Sequence, residues 1–153
     1  MDFVTDQLHT GKHFRILTVV DVFTRECLVA HAGQRLGGDD VVLALNRVLR
    51  TRKPPKRIYC DNGSEFTGRF VDLWAYHNKV ELAFSRPGKP TDNAYIESFN
   101  GSFRDECLNV HWFSTIGEAR SRIEAWRQGY NESRPHRDLN GLAPLQFKAQ
   151  CAA

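Results

Sequence analysis

Long apolar runs, cysteine motifs and a strong charge excess are all missing from this sequence. No stretch approaches the roughly 20 apolar residues of a membrane-spanning helix, and the start has no basic segment followed by an apolar one, the pattern of a signal peptide. The four cysteines form no Cys-x-x-Cys pair and no short Cys/His cluster, so neither a zinc site nor a disulfide framework is indicated. We therefore expect a soluble, cytoplasmic protein with reduced thiols and no membrane partner.

The composition indicates a globular protein with a mild basic bias. Hydrophobic residues make up 41% of the 153 residues, and 10 Phe and 3 Trp can build a sizeable core. Lys and Arg number 21 against 18 Asp and Glu, which leaves a net charge of only +3. We predict a single domain over residues 1–153, without the charge excess of a protein that simply coats nucleic acid.

Strand and helix patterns alternate along the chain. β-branched runs predict a hairpin with a further strand before it, and later short apolar runs predict two more strands, at 1–5, 14–20, 26–32, 57–60 and 80–84. Apolar residues at helical spacing predict helices at 39–51, capped by an Asp, and after Asn62-Gly63. This order predicts an α/β fold, with a mixed five-stranded sheet flanked by helices on both faces.

The second half of the chain reads as a loop followed by helices. Residues 85–90 contain two Pro and one Gly and predict a mobile basic loop. Thr91 and Asp92 can cap the helix that follows. Thr115 and Glu118 resemble a capping box at the start of the last long helix, whose predicted buried side carries Ala119, Ile123, Trp126 and Tyr130.

Three acidic residues stand out by their local context. Asp61 ends a predicted strand, and Glu97 lies in a predicted helix with 35 residues between them. With Asp2 they form a candidate carboxylate triad that could hold two divalent ions for phosphoryl transfer. Oxygen ligands favour Mg²⁺ or Mn²⁺ over zinc. Among 18 acidic residues, however, most pairs at any one spacing are solvated surface groups.

Several polar side chains near this triad are candidate DNA contacts. Arg104 lies seven residues after Glu97, within ~20° of it on one helix face, and could reach a phosphate. The other candidates are the basic loop residues Arg86 and Lys89, the amides Asn62 and Asn93, and Arg134 in an Arg-Pro-His-Arg segment. An Asn at a turn or a helix start more often bonds backbone, and Arg134 could equally belong to a solvated or docked tail.

Four ordered motifs carry a family resemblance. They are Met-Asp-Phe-Val-x-Asp with Phe-Arg-Ile-Leu-Thr-Val-Val-Asp, Cys-Asp-Asn-Gly-Ser-Glu-Phe, Pro-x-x-Asn-Ala-Tyr-Ile-Glu-Ser-Phe-Asn-Gly, and Tyr-Asn-x-x-Arg-Pro-His-x-x-Leu-x-Gly-Leu-x-Pro. Together they resemble the catalytic core of OrfB-type insertion-sequence transposases, which are relatives of retroviral integrases. The resemblance runs nearly end to end.

The resemblance implies a ribonuclease H-like fold and a D,D-35-E metal site. Asp2, Asp61 and Glu97 would be both the catalytic residues and the ligands of two Mg²⁺ or Mn²⁺ ions, and Arg104 falls where the family places a basic residue. The implied reaction is metal-dependent DNA cleavage that exposes a 3′-hydroxyl, followed by strand transfer of that hydroxyl. The implied partners are transposon ends, target DNA and further copies of the chain, at the bacterial nucleoid.

Two alternatives remain open from the sequence. Relatives carry an N-terminal DNA-recognition region that we expect to be absent here, and Asp2, next to the chain start, is expected to fray. The chain could therefore be a truncated or remnant core that folds and binds DNA weakly without transposition activity. An unrelated ribonuclease H-like nuclease is a further possibility, which a preference for RNA–DNA hybrids would support.

Overall fold

The first three strands form an antiparallel sheet. The computed structural model describes residues 1–152, and Ala153 lies outside the described residues. For Pro90 it describes the backbone only. Strands β1 (Asp2–Gln7), β2 (His13–Val20) and β3 (Cys27–Gly33) pair in the order β1-β2-β3. The predicted hairpin is thus confirmed, and its turn is tied by Asp21, whose carboxylate accepts the backbone N–H groups of Phe23 and Thr24.

The remaining two strands form a separate parallel pair. Helix α1 (Gly38–Val48) leads to β4 (Arg57–Cys60), and the helices α2 (Ser64–Thr67) and α3 (Arg69–Asn78) cross over to β5 (Glu81–Phe84). The structure therefore has the five predicted strands, but in two hydrogen-bonded sheets. The backbone nitrogen of Met1 donates to the Tyr59 carbonyl over 2.7 Å and links β1 to β4. A single such bond does not make a ladder.

Two helix starts differ from the prediction because backbone contacts decide them. The N-cap of α1 is Gly37 and not an Asp. An Asp still contributes to the cap from the first turn of the helix, because the Asp40 carboxylate accepts the Gly37 N–H over 2.9 Å. The single helix predicted after Asn62-Gly63 is broken at Gly68. A Cβ at Gly68 would lie 2.9 Å from the Ser64 carbonyl oxygen, so this close approach requires glycine.

The C-terminal part is helical. A 3₁₀ turn (Pro90–Asn93) leads to α4 (Ala94–Phe103), a π-helical turn (Arg104–Leu108), α5 (Ile116–Ser133), a short 3₁₀ turn (Arg137–Leu139) and α6 (Pro144–Ala152). Thr91 and Asp92 do not cap α4; its N-cap is Asn93, which makes no side-chain cap bond. The predicted cap of α5 is confirmed, since the Thr115 hydroxyl accepts the Glu118 N–H over 3.1 Å.

Hydrophobic cores lie on both faces of the β1–β3 sheet. The neighbours Ile16 and Leu17 on β2 point to opposite faces, and both are buried. On the side of Leu17, α1 and α3 contribute Val41, Val71 and Trp74; on the side of Ile16, α4 and α5 contribute Phe99, Phe103 and Ile123. The α/β arrangement with helices on both faces is therefore confirmed. In residues 1–152, none of the helices has the length and apolar character needed to span a membrane.

Candidate active site

A cleft at one end of the two sheets collects the three predicted acidic residues. Asp2 begins β1, Asp61 follows β4, and Glu97 lies in the first turn of α4. The cleft has a volume of about 310 Å³, and its remaining lining comes from the loop after β5 and from the start of α4: Ser85, Arg86, Gly88, Lys89 and Asn93. The fold thus brings side chains from four separate segments around one space.

Asp2 and Asp61 are the closely interacting pair in this cleft. Burial raises the pKa of Asp2 to about 6, and the negative charge of Asp61 and a hydrogen bond to the Asp61 side chain act in the same direction. A hydrogen bond from the Phe3 backbone partly offsets this rise, because it stabilises the ionised carboxylate. Two carboxylates held this close resist being ionised together unless a cation neutralises them. The donors are all oxygen, which matches Mg²⁺ or Mn²⁺. The pair therefore fits a divalent metal ion.

Glu97 also lines the cleft. Among the described residues, no three His, Cys, Asp or Glu side chains are close enough together to enclose a metal ion. Glu97 is exposed, and no hydrogen bond or ion pair holds its carboxylate within residues 1–152. Its side chain can therefore change rotamer without breaking a contact, which is what a third ligand reaching toward Asp2 and Asp61 would require.

Asp2 is held firmly, and the expectation that it frays is wrong. Met1 is only 5% exposed and bonds to Tyr59, which fixes the backbone next to Asp2. The Asn100 amide donates to Asp2 Oδ2 over 2.9 Å, and Asn100 Oδ1 accepts the hydroxyl of the fully buried Thr18 over 3.0 Å. The orientation of Asp2 is therefore set from a neighbouring strand and from α4.

Sequence reasoning missed Asn100, although a signal was present. Asn100 comes four residues after Ile96 and three before Phe103, so it falls on the buried stripe of α4. A polar side chain at such a position needs a hydrogen-bonding partner. Its place one turn after Glu97 would have suggested that the partner belongs to the acidic cluster.

Asp61 is positioned by the turn that follows it. Its Oδ1 accepts the Gly63 N–H over 2.8 Å, and a Cβ at Gly63 would lie 2.9 Å from that oxygen and 3.0 Å from Glu65 Oε2. Asn62, a predicted DNA contact, instead donates its amide to the Ser85 carbonyl over 2.6 Å. It ties the end of β4 to the loop after β5, which are the two segments flanking the cleft.

Three of the predicted DNA contacts line the cleft. Arg86 forms a two-pronged ion pair with Asp92, with distances of 2.8 Å and 2.9 Å, and this pairing lowers the pKa of Asp92 to about 2. Lys89 makes no ion pair with any residue in the described range, so its charge is available to a ligand. Asn93 sits at the junction of the 3₁₀ turn and α4.

The two remaining predicted contacts, Arg104 and Arg134, are not among the cleft-lining residues. The Arg104 guanidinium makes long contacts of 3.4 Å and 3.5 Å to the Thr5 carbonyl over β1. Arg134 pairs with Glu106 over 2.8 Å and its guanidinium lies over the ring of Tyr130. Their roles in DNA binding stay predictions, and Arg134 has a structural partner that accounts for its position.

Comparison with known proteins places the sequence among mobile-element proteins. A protein of the insertion element IS407 from Burkholderia multivorans, described as uncharacterized, is 53% identical over 150 residues, which cover 98% of this chain and 54% of that protein. A protein of IS476 from Xanthomonas euvesicatoria is 45% identical over 149 residues, covering 97% and 43%. The chain thus spans about half the length of the curated relatives it matches.

Solved structures with the same fold are retroviral. The catalytic core domain of BIV integrase superposes with a TM-score of 0.69 at 14% identity, covering 99% of this chain and 93% of that one. The HTLV-2 integrase catalytic core domain, solved in complex with magnesium in a trimeric form, gives a TM-score of 0.66 at 13% identity, covering 95% and 94%. At such low identity these matches establish the fold alone, and they confirm the ribonuclease H-like prediction.

The family assignment follows from two matches along the chain. The family described as Integrase core domain matches residues 1–90, and a second family with the same description matches residues 78–144. The first match includes Asp2 and Asp61, and the second includes Glu97. Since the first of them alone covers more than half of the chain, this protein belongs to the integrase core domain family.

Proposed function

We propose that this chain is the catalytic core of an insertion-element transposase, which cleaves DNA and transfers the exposed 3′-hydroxyl to a second strand. The close Asp2–Asp61 pair in a cleft that Glu97 also lines carries the proposal. Support comes from the family and from relatives that insertion elements encode. The partners would be transposon ends and target DNA at the bacterial nucleoid, with at least two copies of the chain to hold two ends.

Asp2, Asp61 and Glu97 would hold two Mg²⁺ or Mn²⁺ ions. When bound, such ions activate the attacking oxygen and stabilise the leaving one. In cleavage, a water oxygen attacks phosphorus and the bond to the 3′ oxygen breaks, which leaves a 3′-hydroxyl and a 5′-phosphate. In strand transfer, that hydroxyl is the nucleophile and another 3′ oxygen leaves. Both steps are one displacement with different nucleophiles.

The chain's own residues orient the reacting groups. Asn100 fixes the direction of the Asp2 carboxylate, and the Gly63 N–H fixes that of Asp61. Lys89, which lines the cleft together with Asn93, would supply a positive charge for the phosphodiester backbone. Contacts of this kind position a strand without reading its sequence.

A DNA cleavage assay tests the proposal. We expect the protein with Mn²⁺ or Mg²⁺ to nick or join labelled DNA that carries insertion-element ends. Asp61→Asn and Glu97→Gln should each lower the rate more than roughly 100-fold, because a ligand worth several kcal/mol of transition-state stabilisation is lost. Matched controls are Asp72→Asn and Glu132→Gln, which neutralise exposed acidic residues. Unchanged cleavage by both site variants would contradict the proposal.

Within residues 1–152 no three His, Cys, Asp or Glu side chains are close enough together to hold a metal ion, and this favours a second possibility, a core that folds and binds DNA weakly without catalysis. Calorimetric titration with Mn²⁺ separates the two. An active site should bind two ions per chain, and Glu97→Gln should weaken the binding of one of them. An inactive core should show no resolvable metal binding at millimolar Mn²⁺ while it keeps a cooperative unfolding transition.

A further inference from the structure

An exposed aromatic side chain lies beside the candidate active site without a described role. Tyr95 keeps 56% of its surface exposed, although it is in the first turn of α4. It comes two residues before Glu97, and the buried Ile96 lies between them. At ~100° per residue, Tyr95 and Glu97 therefore flank the buried stripe on its two sides. One turn of helix thus presents a catalytic candidate on one flank and an open ring on the other.

The tip of the β2–β3 hairpin reaches this ring. Thr18 pairs with Asp2, and β2 continues two residues further to Val20, so the tip lies beyond the sheet end that carries Asp2. At the tip, the guanidinium of Arg25 lies over the Tyr95 ring, 4.1 Å from its centroid. The Arg–Tyr stack therefore belongs to the same end of the molecule as the acidic cleft.

The backbone at Arg25 is held in an uncommon conformation. Its φ is +63°, in the left-handed region that residues other than glycine rarely adopt. The turn is kept by the bond from the Arg25 N–H to the Asp21 carbonyl, 2.8 Å, and by the Arg25 guanidinium, which donates to the Val22 carbonyl over 2.7 Å. Strain of this kind concentrates at functional sites. In this conformation the Arg25 guanidinium lies over the Tyr95 ring.

The chemistry of the stack selects its ligand. With a guanidinium on one side, the aromatic ring leaves its other face for a nucleobase. The Arg25 charge is paired with Asp138 over 3.3 Å and its side chain is only 17% exposed, so it supports the ring and does not reach a phosphate. Phe23, 67% exposed at the same hairpin tip, packs edge-on against Phe147 of α6 and not against Tyr95. The cleft that carries the cation Lys89 and is lined by Glu97 lies at the same end of the molecule.

We propose that Tyr95, backed by Arg25, is a stacking platform for an unpaired base of the DNA strand beside the scissile phosphate. The inference rests on the proposed function, because that function places DNA in the adjacent cleft. Every base has a π face, so the platform holds a frayed strand end without selecting its sequence. Its contribution is to keep the strand separated and its phosphate aligned with the acidic residues.

Binding without catalysis tests the platform. The parent is the Asp61→Asn protein in buffer without divalent metal, and the probes are labelled duplexes with a 2-aminopurine base that is either unpaired at the end or fully paired. Stacking is worth ~1–3 kcal/mol per base, so Tyr95→Ala should weaken binding of the unpaired probe roughly 5- to 150-fold and abolish the fluorescence quenching. Tyr95→Phe, which keeps the ring, should retain both. Tyr76→Ala, which removes an 86% exposed ring on α3, is the matched control.

Three results would overturn the platform. The first is an unchanged affinity of Tyr95→Ala for the unpaired probe. The second is that Tyr95→Ala loses as much affinity for the fully paired duplex as for the unpaired probe. The third is that Tyr76→Ala loses as much affinity for the unpaired probe as Tyr95→Ala does. Thermal unfolding of each variant confirms that the fold is intact. Because the assay needs no cleavage, loss of unpaired-end binding in Tyr95→Ala would support the platform even if the wild type failed to cut DNA. A failure of the platform can thereby be distinguished from a failure of the proposed function.

Discussion

Asn100 shows how a single side chain can determine the geometry of the candidate site. Its amide nitrogen and its carbonyl oxygen have different tasks, since the first donates to Asp2 and the second accepts from the buried Thr18 hydroxyl. Few other side chains combine a donor and an acceptor in this arrangement. A partner that orients a metal ligand in this way affects metal binding without touching the metal.

At the scale of this residue, we expect Asn100→Ala to weaken Mn²⁺ binding about 10- to 100-fold, because Asp2 loses the bond that orients it. Calorimetry with the variant and the parent protein measures the change. Ser98→Ala is the matched control, because Ser98 is exposed on the same helix. Equal Mn²⁺ affinity in Asn100→Ala and the parent would show that Asn100 does not position Asp2.

At the scale of the element, polar residues mark helix ends where the local sequence contains a complete signal. Thr115 caps α5 as predicted, and Glu118 Oε2 accepts the backbone N–H of Ser114 over 3.0 Å, one residue before the expected partner. At α1 and at the break between α2 and α3, glycine backbone decides instead. Close backbone approaches of this kind leave no periodic pattern, so the sequence predicted neither the Gly37 cap nor the break at Gly68, whereas the start of α2 directly after Gly63 agrees with the prediction.

The cap of α5 gives a prediction for this element. Thr115→Ala should lower the free energy of unfolding by about 1 kcal/mol, since the Glu118 N–H loses its acceptor. Urea denaturation followed by circular dichroism measures the loss. Ser121→Ala, an exposed substitution in the middle of the same helix, should cause no loss because alanine has the higher helix propensity. The cap has no special role if both variants are destabilised equally.

At the scale of the whole molecule, the β1–β3 sheet separates two hydrophobic cores, and the helices on both sides depend on it. Phe103, fully buried, packs with Phe99 and Trp126 on the side of α4 and α5. This packing supports the helix that carries Glu97 and Asn100. Stability and site geometry therefore share one core.

A matched pair of phenylalanines tests this dependence. Phe103→Ala should lower the free energy of unfolding by about 3–5 kcal/mol, because it opens a cavity in a fully buried position. Phe70→Ala should change it by less than about 0.5 kcal/mol, because Phe70 is 62% exposed. Guanidinium denaturation of both variants provides the comparison. Similar losses in the two would mean that the core on the side of α4 is not tightly packed.

Local chemistry explains why much of this protein was predictable. The β-branched runs, the hairpin turn at Asp21, the strand ending at Cys60 and the cap at Thr115 each depend on residues close in sequence. Asp61 and Glu97 drew attention because each stands at a recognisable junction of local structure. The fold class and the two later acidic candidates could therefore be derived from the sequence.

Only the tertiary structure decided which residues meet. The Asn100–Asp2 bond joins residues 98 apart in sequence, and the Arg25–Tyr95 stack joins a hairpin tip to a distant helix. Likewise, folding pairs Arg134 with Glu106 and secures Asp2. Such contacts arise when apolar faces pack and bring unrelated segments together. A local pattern, such as the place of Asn100 on the buried stripe of α4, indicates that a partner is needed, but only packing determines which residue it is. The sequence thus determined the elements and the acidic candidates, and packing determined how the site is supported.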